Sequence, residues 1–247
     1  MSQVKWIDPL ENEHHSVSGQ LVRTNDYTRL PELMKDSVRT AIWDLSRHAA
    51  GLSLIFHTTS PRLQIEYQVA GPHQMPHMPA TAVSGLDLYA KTHGGDWLWF
   101  KGSYSFSDTI RYTFDLNVPE DSIAEYHLYL PLYNKLNSLR LGLPETATLK
   151  IKASTDSSPI VVYGTSITQG ACASRPGMTW TSLLSRSLQA PLVNLGFSGN
   201  GLLEPEIIHF MASRDARLFI LDCLPNLGPG KGISEEEIRS RLRYAVN

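Results

Sequence analysis

The chain has 247 residues, of which 42% are hydrophobic and 19% charged, and its formal net charge is -2 at pH 7. This composition supplies apolar material for a sizeable core and excludes a disordered chain. The nearly balanced charge argues against a nucleic-acid binder with a basic surface, and no apolar run reaches the roughly 18 residues that a membrane span needs.

Residues 1–156 show the pattern of many short strands. Apolar and polar side chains alternate over residues 63–69 and again over 110–116, which is typical of strands with one buried face. Further candidate strands are residues 52–57, 86–90, 97–101, 126–130, 139–143 and 149–153. Short strands separated by turn residues, with no long helix among them, predict an antiparallel β-sandwich domain, jelly-roll-like, over residues 1–156.

From residue 157 the pattern changes to alternating strands and helices. Residues 159–163, 192–195 and 218–221 are apolar runs without alternation, as buried parallel strands require. Helices are predicted from the apolar stripe of Trp180, Leu183, Leu184 and Leu188, from Pro205 as a first helical residue, and from Ser234 as a cap. This order predicts a doubly wound parallel α/β domain over residues 157–247, with the boundary near residues 155–159.

Three polar loops that contain glycine follow the predicted parallel strands, at residues 164–170, 196–201 and 222–226. Ligands bind beyond the carboxyl ends of such strands, so a serine there could act as a nucleophile beside backbone N–H donors. Two other interpretations remain open, a serine that only caps a turn and a loop that holds a phosphate. However, residues 164–170 lack the Lys-Ser/Thr ending of a P-loop, and residues 196–201 lack the dinucleotide-binding spacing.

These loops resemble the conserved blocks of one hydrolase family. Gly164-Thr165-Ser166 resembles block I of the SGNH (GDSL-like) hydrolases, residues 194–199 resemble block II, and residues 222–226 resemble block III. The resemblance extends into the first part of the chain. Residues 85–89 match the Gly-x-Asp-Leu-Tyr motif of the branch that carries an N-terminal β domain, so the resemblance covers nearly the whole chain.

The resemblance implies a serine ester hydrolase with a flavodoxin-like catalytic sheet. Ser166 would be the acyl-accepting nucleophile, and the backbone N–H groups of Ser166 and Gly199 would form an oxyanion hole with the side-chain amide of Asn226. It implies hydrolysis through an acyl-enzyme, a small acyl ester as substrate, with acylated carbohydrates favoured, and no cofactor or metal. The alternative is a non-catalytic carbohydrate-binding β-sandwich protein with an incomplete α/β domain.

The general base that the family carries in an Asp-x-x-His block has no match here. His209 is the only histidine after Ser166, and although Glu206 precedes it by three residues, a solvated helix face is the favoured interpretation. We therefore expect a chain that stops before its catalytic domain is complete and that lacks activity for want of the base. The third parallel strand would then be an apolar edge, open to homo-oligomerisation.

Other residues invite functional interpretations as well. The segment 73–79 contains two histidines and two methionines, and a flexible loop is favoured over a metal site. Trp97 and Trp99 share one strand face, for which core packing is favoured over a sugar-stacking platform. Asp87 is interpreted as a buried structural carboxylate rather than a catalyst.

The sequence also leads to expectations for the two cysteines and for the N-terminal segment. Cys172 and Cys223 are interpreted as reduced thiols, with a disulfide as the less favoured alternative. The N-terminal segment has no apolar signal-peptide core, and the sequence assigns no compartment.

Overall fold

The computed structural model of the protein describes residues 3–11, 15–117, 123–154 and 158–246. Its strands are β1 (Val4–Ile7), β2 (Val17–Ser18), β3 (Ser53–Thr58), β4 (Arg62–Val69), β5 (Asp87–Thr92), β6 (Trp97–Phe100), β7 (Ser103–Ser105), β8 (Ile110–Asp115), β9 (Ile123–Tyr129), β10 (Leu136–Pro144), β11 (Leu149–Ile151), β12 (Ile160–Gly164), β13 (Leu192–Gly196) and β14 (Leu218–Asp222). Its helices are α1 (Thr40–Ser46), α2 (Ala80–Val83), α3 (Ser166–Gln169), α4 (Trp180–Leu188), α5 (Pro205–Ala212) and α6 (Glu235–Val246).

Two antiparallel sheets form the first part of the chain. Their strand orders are β1-β10-β4-β8-β7 and β11-β3-β9-β5-β6, and β2 pairs with β3 in the second sheet. One hydrophobic core contains side chains of both sheets, such as Phe56 of β3 and Ile65 of β4. Antiparallel sheets are therefore confirmed, while the jelly-roll-like connectivity and a domain at residues 1–156 stay predictions.

The predicted alternation of apolar and polar residues is confirmed in paired strands. In β4, Leu63, Ile65 and Tyr67 are at most 1% exposed, and the residues between them are half-buried. Ile65 pairs with Tyr112 of β8, which is also buried. A slip of one residue would turn every apolar side chain of a strand to the opposite face, so this pattern fixes the register.

A parallel sheet of order β13-β12-β14 follows in the second part of the chain. Every residue of β12 and β13 is buried, as their unbroken apolar runs predict. The outer strand β14 has Leu218 49% and Phe219 42% exposed, so it is the apolar edge expected from the sequence. The flavodoxin-like identity of the sheet, the extent of its domain and oligomerisation at this edge stay predictions.

The three predicted helices of this part are present, but the apolar stripe expected on α4 is only partly buried. Leu183 and Leu188 are 44% and 53% exposed. The face that α4 buries instead carries Thr181, Ser182 and Arg186. The expectation was wrong for the two leucines because α4 turns a polar face towards the second antiparallel sheet.

The segment around α1 was not predicted, and it packs across the two parts of the chain. Leu30, Met34 and Ile42 share a hydrophobic core with Val161 of β12 and Val193 of β13. The boundary predicted near residues 155–159 lies mostly outside the described residues. Side chains from the first part of the chain therefore help to bury the parallel sheet of the second.

Arg29 joins the same two regions by hydrogen bonds. It is 1% exposed, and its Nε donates to the carbonyl oxygen of His48 at 2.9 Å. Its Nη1 donates to the carbonyl oxygens of Asn194 at 3.3 Å and Gly196 at 2.5 Å, and its Nη2 donates to that of Leu45 at 2.5 Å. A buried charge is tolerated only when its donors are satisfied, and these carbonyl groups satisfy them.

We expect Arg29→Met to lower the free energy of unfolding by about 3 kcal/mol or more, because it leaves several buried carbonyl groups without donors. Urea denaturation monitored by circular dichroism measures the change. Arg23→Met, at an exposed position, is the control and should change the free energy by less than about 0.5 kcal/mol. Equal effects of the two substitutions would contradict this role for Arg29.

Candidate functional site

Three loops leave the carboxyl ends of the parallel strands at one edge of the sheet. Gly164, the last residue of β12, lies level with Gly196 of β13 and with Asp222 of β14. Because β12 is the central strand, the loop that carries Ser166 lies between the other two. The sequence predicts three loops at this edge but not the order of the strands, and such edges are where open α/β sheets bind ligands.

Ser166 begins the short helix α3 directly after the central strand. The Thr165 hydroxyl caps this turn by accepting a hydrogen bond from the N–H of Ile167 at 3.3 Å. The Thr168 hydroxyl donates to the carboxylate of Asp222 at 2.8 Å, which fixes α3 to the end of β14. Ser166 is half-buried, and within the described residues its own hydroxyl has no hydrogen-bond partner. The Ser166 hydroxyl is therefore available to contact a ligand.

Gly199 lies in the loop after β13, which is anchored on the loop after β12. The N–H of Phe197 donates to the carbonyl of Gly164 at 2.9 Å, and the N–H of Ser198 donates to Oε1 of Gln169 at 2.9 Å. Gly199 is exposed and has φ +68°, a conformation that favours glycine. Among the described residues, its N–H has no acceptor, so it can donate to a ligand.

Asn226 ends the short turn that follows β14, and it is half-buried. Its Nδ2 donates to the carbonyl of Asn200 at 2.6 Å, and the Asn200 amide donates to the carbonyl of Ser198 at 2.9 Å. A side-chain amide has two N–H groups, so the second one of Asn226 remains for a ligand. Asn226 thus contacts the loop of Gly199, while Ser166 lies at the same sheet edge.

A buried polar network supports this loop from behind, and sequence reasoning missed it. Glu204 is 7% exposed. Its carboxylate accepts hydrogen bonds from the Tyr163 hydroxyl and from the N–H of Leu202, and it pairs with Arg39. Arg39 also donates to Oδ1 of Asn200 at 2.9 Å. Burial and the Glu204 charge raise the pKa of Tyr163, which keeps its hydroxyl a donor.

Gln169 and His48 form a second support that the sequence did not indicate. Gln169 is fully buried, and while its Oε1 holds Ser198, its Nε2 donates to the carbonyl of Leu132 at 3.1 Å. The same nitrogen lies 3.3 Å from Nδ1 of His48. Burial, with the charge of Arg29, lowers the pKa of His48 to about 4. His48 is therefore neutral near pH 7 and acts as a packing and hydrogen-bonding residue.

His209 has its partner on another helix, not in the loop of the nucleophile candidate. It lies on α5, is exposed, and its Nε2 is 2.6 Å from the hydroxyl of Tyr244 on α6. The two rings meet edge to face at 5.6 Å. Its spacing from Glu206 therefore reflects an exposed helix face, as the favoured interpretation of the sequence holds.

The Gly-x-Asp-Leu-Tyr motif connects the second antiparallel sheet to the segment before α4. Asp87 is 2% exposed, and its carboxylate accepts hydrogen bonds from Trp99 Nε1 at 2.7 Å and from the N–H of Gly177 at 2.9 Å. Arg175 forms an ion pair with it at 3.2 Å. Burial raises the pKa of Asp87 to about 6, although these partners oppose that rise. Asp87 is thus a buried structural carboxylate, as the sequence suggests.

Tyr89 of the same motif also contacts the segment before α4 and helix α4 itself. The Arg186 guanidinium stacks on Tyr89 at 4.1 Å from the ring centroid, and its Nη2 donates to the carbonyl of Gly177 at 2.7 Å. A Cβ atom at Gly177 would lie 2.3 Å from Cε2 of Tyr89. Only glycine allows this close approach, so the motif fits the segment 175–186 closely.

Comparisons with known proteins agree with this architecture. The model of the N-terminus of SGNH-hydrolase-type esterases, named GxDLY, matches residues 4–149, and that of the GDSL-like Lipase/Acylhydrolase family matches residues 157–247. A Bacteroides ovatus protein assigned to the GDSL-like lipases is 32% identical, with a TM-score of 0.83, over 99% of this chain and 69% of that chain.

The chain belongs to the GDSL-like lipase/acylhydrolase family. The salicylyl-acyltransferase SsfX3 of a tetracycline biosynthetic pathway shares its fold, with 19% identity and a TM-score of 0.71 over 98% of this chain and 68% of that chain. None of the curated proteins matches. The family assignment confirms the resemblance seen in the sequence and places the chain among hydrolases of the esterase type.

Two tryptophans of this GDSL-like protein do not lie where the sequence suggested. Trp97 is half-buried and Trp99 is 46% exposed, and neither belongs to the core of the antiparallel sheets. Their strand β6 packs Phe100 against that core instead. The prediction of core packing was wrong because both faces of β6 are apolar, and alternation alone does not tell which face is inward.

The remaining candidates carry no chemistry visible in the structure. Cys172 is exposed, Cys223 is buried, and both thiols are free. In the segment 73–79, Met75 and Met78 exchange backbone hydrogen bonds at 3.1 Å as in a tight hairpin. Across the described ranges, no cluster of three or more His, Cys, Asp or Glu side chains could hold a metal ion. No helix there is long and apolar enough to cross a membrane.

The raised pKa of Asp87 predicts a specific dependence of stability on pH. Between its ordinary value of 3.8 and about 6, the folded state binds more protons at Asp87 than the unfolded state does. The contribution of Asp87 to the free energy of unfolding therefore falls as pH rises through this window, by about 3 kcal/mol. Asp87→Asn should remove that decline in denaturation measured from pH 4 to 7.

The exposed Asp108 provides the control, because Asp108→Asn should keep the slope of the original protein. Parallel pH profiles for the original protein and Asp87→Asn would contradict the assignment.

Proposed function

We propose that this protein hydrolyses esters through an acyl-enzyme, with Ser166 as the nucleophile. The backbone N–H groups of Ser166 and Gly199 and the side-chain amide of Asn226 form its oxyanion hole. The main support is the shared sheet edge, where the Ser166 hydroxyl lies between two loops that carry N–H donors. Within the described residues, this hydroxyl and the Gly199 N–H have no partner, and Asn226 uses only one of its two amide N–H groups. Membership in an acylhydrolase family supports the same reaction class.

The reaction proceeds in two steps. The Ser166 Oγ attacks the ester carbonyl carbon and gives its proton to a base, while the carbonyl electron pair moves onto oxygen. The three N–H donors stabilise this oxyanion, each contributing typically about 3 kcal/mol in a preorganised site. Collapse of the intermediate breaks the bond to the alcohol, which leaves with a proton. Water then releases the acid by the same route in reverse.

Deprotonation of Ser166 requires a base, and a histidine performs this role in serine hydrolases. Among the described residues, His48 is engaged with Gln169 and His209 with Tyr244, so neither is assigned as this base. We therefore propose that the chain by itself has little or no activity, and that imidazole in solution substitutes for the base.

We further propose that the substrate is a small acyl ester and that acylated sugars belong to the substrate class, an expectation that rests on the family resemblance. The matches at residues 4–149 and 157–247 support a division into a jelly-roll-like domain at 1–156 and a flavodoxin-like hydrolase domain at 157–247. Packing of α1 against the parallel sheet makes the two parts dependent on each other.

The first test is the hydrolysis of 4-nitrophenyl acetate with and without added imidazole. We expect Ser166→Ala to reduce the rate of hydrolysis to that of the solution without protein. Added imidazole should then give no increase beyond the hydrolysis that imidazole causes without protein. Ser174→Ala, an exposed serine in the following loop, is the matched control and should leave the rate unchanged.

A Ser166→Ala variant that keeps the imidazole-dependent increment would refute the nucleophile. Absence of any turnover in the original protein even with added imidazole, on this ester and on acetylated xylose alike, would favour a non-catalytic binding protein.

The second test concerns the oxyanion hole. Asn226→Ala should lower kcat by about 100-fold to 1000-fold with little change in KM, because the lost donor acts on charge that develops only in the transition state. The melting temperature of the variant shows whether loss of the contact to Asn200 also disturbs the loop. An unchanged kcat would contradict this role for Asn226.

A further inference from the structure

A cavity lies between the second antiparallel sheet and helix α4, away from the candidate catalytic edge. Its volume is about 350 Å³, and its walls include Trp97 of β6, His127 of β9 and Arg186 of α4. Leu192, the first residue of β13, and Arg217, just before β14, also line it. These positions are at the amino ends of the parallel strands, opposite the end where Ser166 lies, so the cavity is separate from the proposed active site.

Two buried donors in the cavity wall have no acceptor. Trp97 Nε1 and Arg186 Nη1 are buried and make no hydrogen bond to any described residue. Arg186 is 8% exposed, and its position is fixed because its Nη2 bonds to Gly177 and its guanidinium stacks on Tyr89. Indole and guanidinium nitrogens can only donate hydrogen bonds, so both atoms need a group that is rich in acceptors. An unsatisfied buried donor is costly, so an acceptor that enters the cavity is stabilised once small side-chain shifts expose these two atoms to it.

The charge of the lining residues specifies the kind of acceptor. Four cationic side chains line the cavity, and Glu125 is its only carboxylate among the described residues. That carboxylate is already occupied, because it bonds to His127 at 2.9 Å and to Lys152 at 3.1 Å. Burial lowers the pKa of His127, so it adds no charge near neutral pH.

The other three cations have no carboxylate partner within 4 Å in the described part of the chain. Lys91 bonds to the neutral amide of Gln189 at 2.9 Å, and Arg217 is exposed at the rim. Arg186 lies near Asp87, but the ion pair of Asp87 is with Arg175. The cavity is therefore positively charged, with Arg186 buried in its wall and Arg217 exposed.

We propose that this cavity binds a small organic acid that carries two or more carboxylate groups. One carboxylate lies against Trp97 and Arg186 and reaches their buried donors when these side chains turn towards it, and another meets Lys91 and Arg217. The volume lies within the range of small-molecule sites, about 300–1,000 Å³. A bound acid contacts β5, β6 and α4 together, so it ties the antiparallel sheet to the α/β part of the chain independently of ester hydrolysis.

Calorimetric titration of the full chain with citrate tests the proposal, with glucose and inorganic phosphate as comparison ligands. We expect citrate to bind with a Kd below about 1 mM and to raise the melting temperature. Trp97→Phe keeps the ring but removes the donor, and Arg217→Gln removes a charge at the rim; each should weaken binding by at least about fivefold. Arg214→Gln, exposed and outside the cavity, is the matched control and should bind as the original protein does.

Three results would each overturn the proposal. The first is that citrate does not bind even at a concentration about 50 times the expected Kd limit of about 1 mM. The second is that glucose or phosphate binds as tightly as citrate. The third is that both variants bind citrate with unchanged affinity. Because Arg217 is an exposed residue, its substitution tests the site even if Trp97→Phe disturbs folding. None of these results depends on Ser166, so the outcome is independent of the proposed esterase activity.

Discussion

The candidate site depends on one constraint, which is that the three parallel strands end level with one another at the same edge of the sheet. Each strand residue advances the chain by about 3.3 Å, so a shift of one residue in either pairing would move a whole loop by more than the length of a hydrogen bond. The 2.6 Å contact between Asn226 and Asn200 would not survive such a shift. Burial of both faces of β12 and β13 opposes a shift between these two strands, and the hydrogen bond from Thr168 to Asp222 holds the end of β14.

The first part of the chain does more than flank this sheet. Arg29 holds the end of β13 through its carbonyl groups, Arg39 holds the loop beyond it through Asn200, and Asp87 holds the segment before α4 through Gly177. These are three separate points of support, and each uses a charged side chain to satisfy backbone or amide groups that would otherwise be exposed or unpaired. The loops of the candidate site are therefore positioned by residues from both parts of the chain.

Local sequence patterns predicted the strands, both those in which buried and exposed residues alternate and those that are buried throughout. All eight strands expected between residues 52 and 153 have counterparts, as do the three parallel strands. The segment around Leu30 and Ile42 was missed because its apolar residues follow no regular period, and their partners lie more than 100 residues away. Glu204 was missed because a carboxylate before a helix proline looks like an ordinary cap. Its role comes from Tyr163 and Arg39, which only the folded chain brings to it.

Packing of α1 and its flanking residues on the parallel sheet also bears on synthesis of the chain. Leu30, Met34 and Ile42 leave the ribosome long before Val161 and Val193, their apolar partners. At about 5–20 residues per second, the delay is on the order of 10 s. During that time the β-sheets can begin to form, but this stretch lacks its partners from β12 and β13. Its packing on the parallel sheet is therefore completed only after residue 193 has been synthesised.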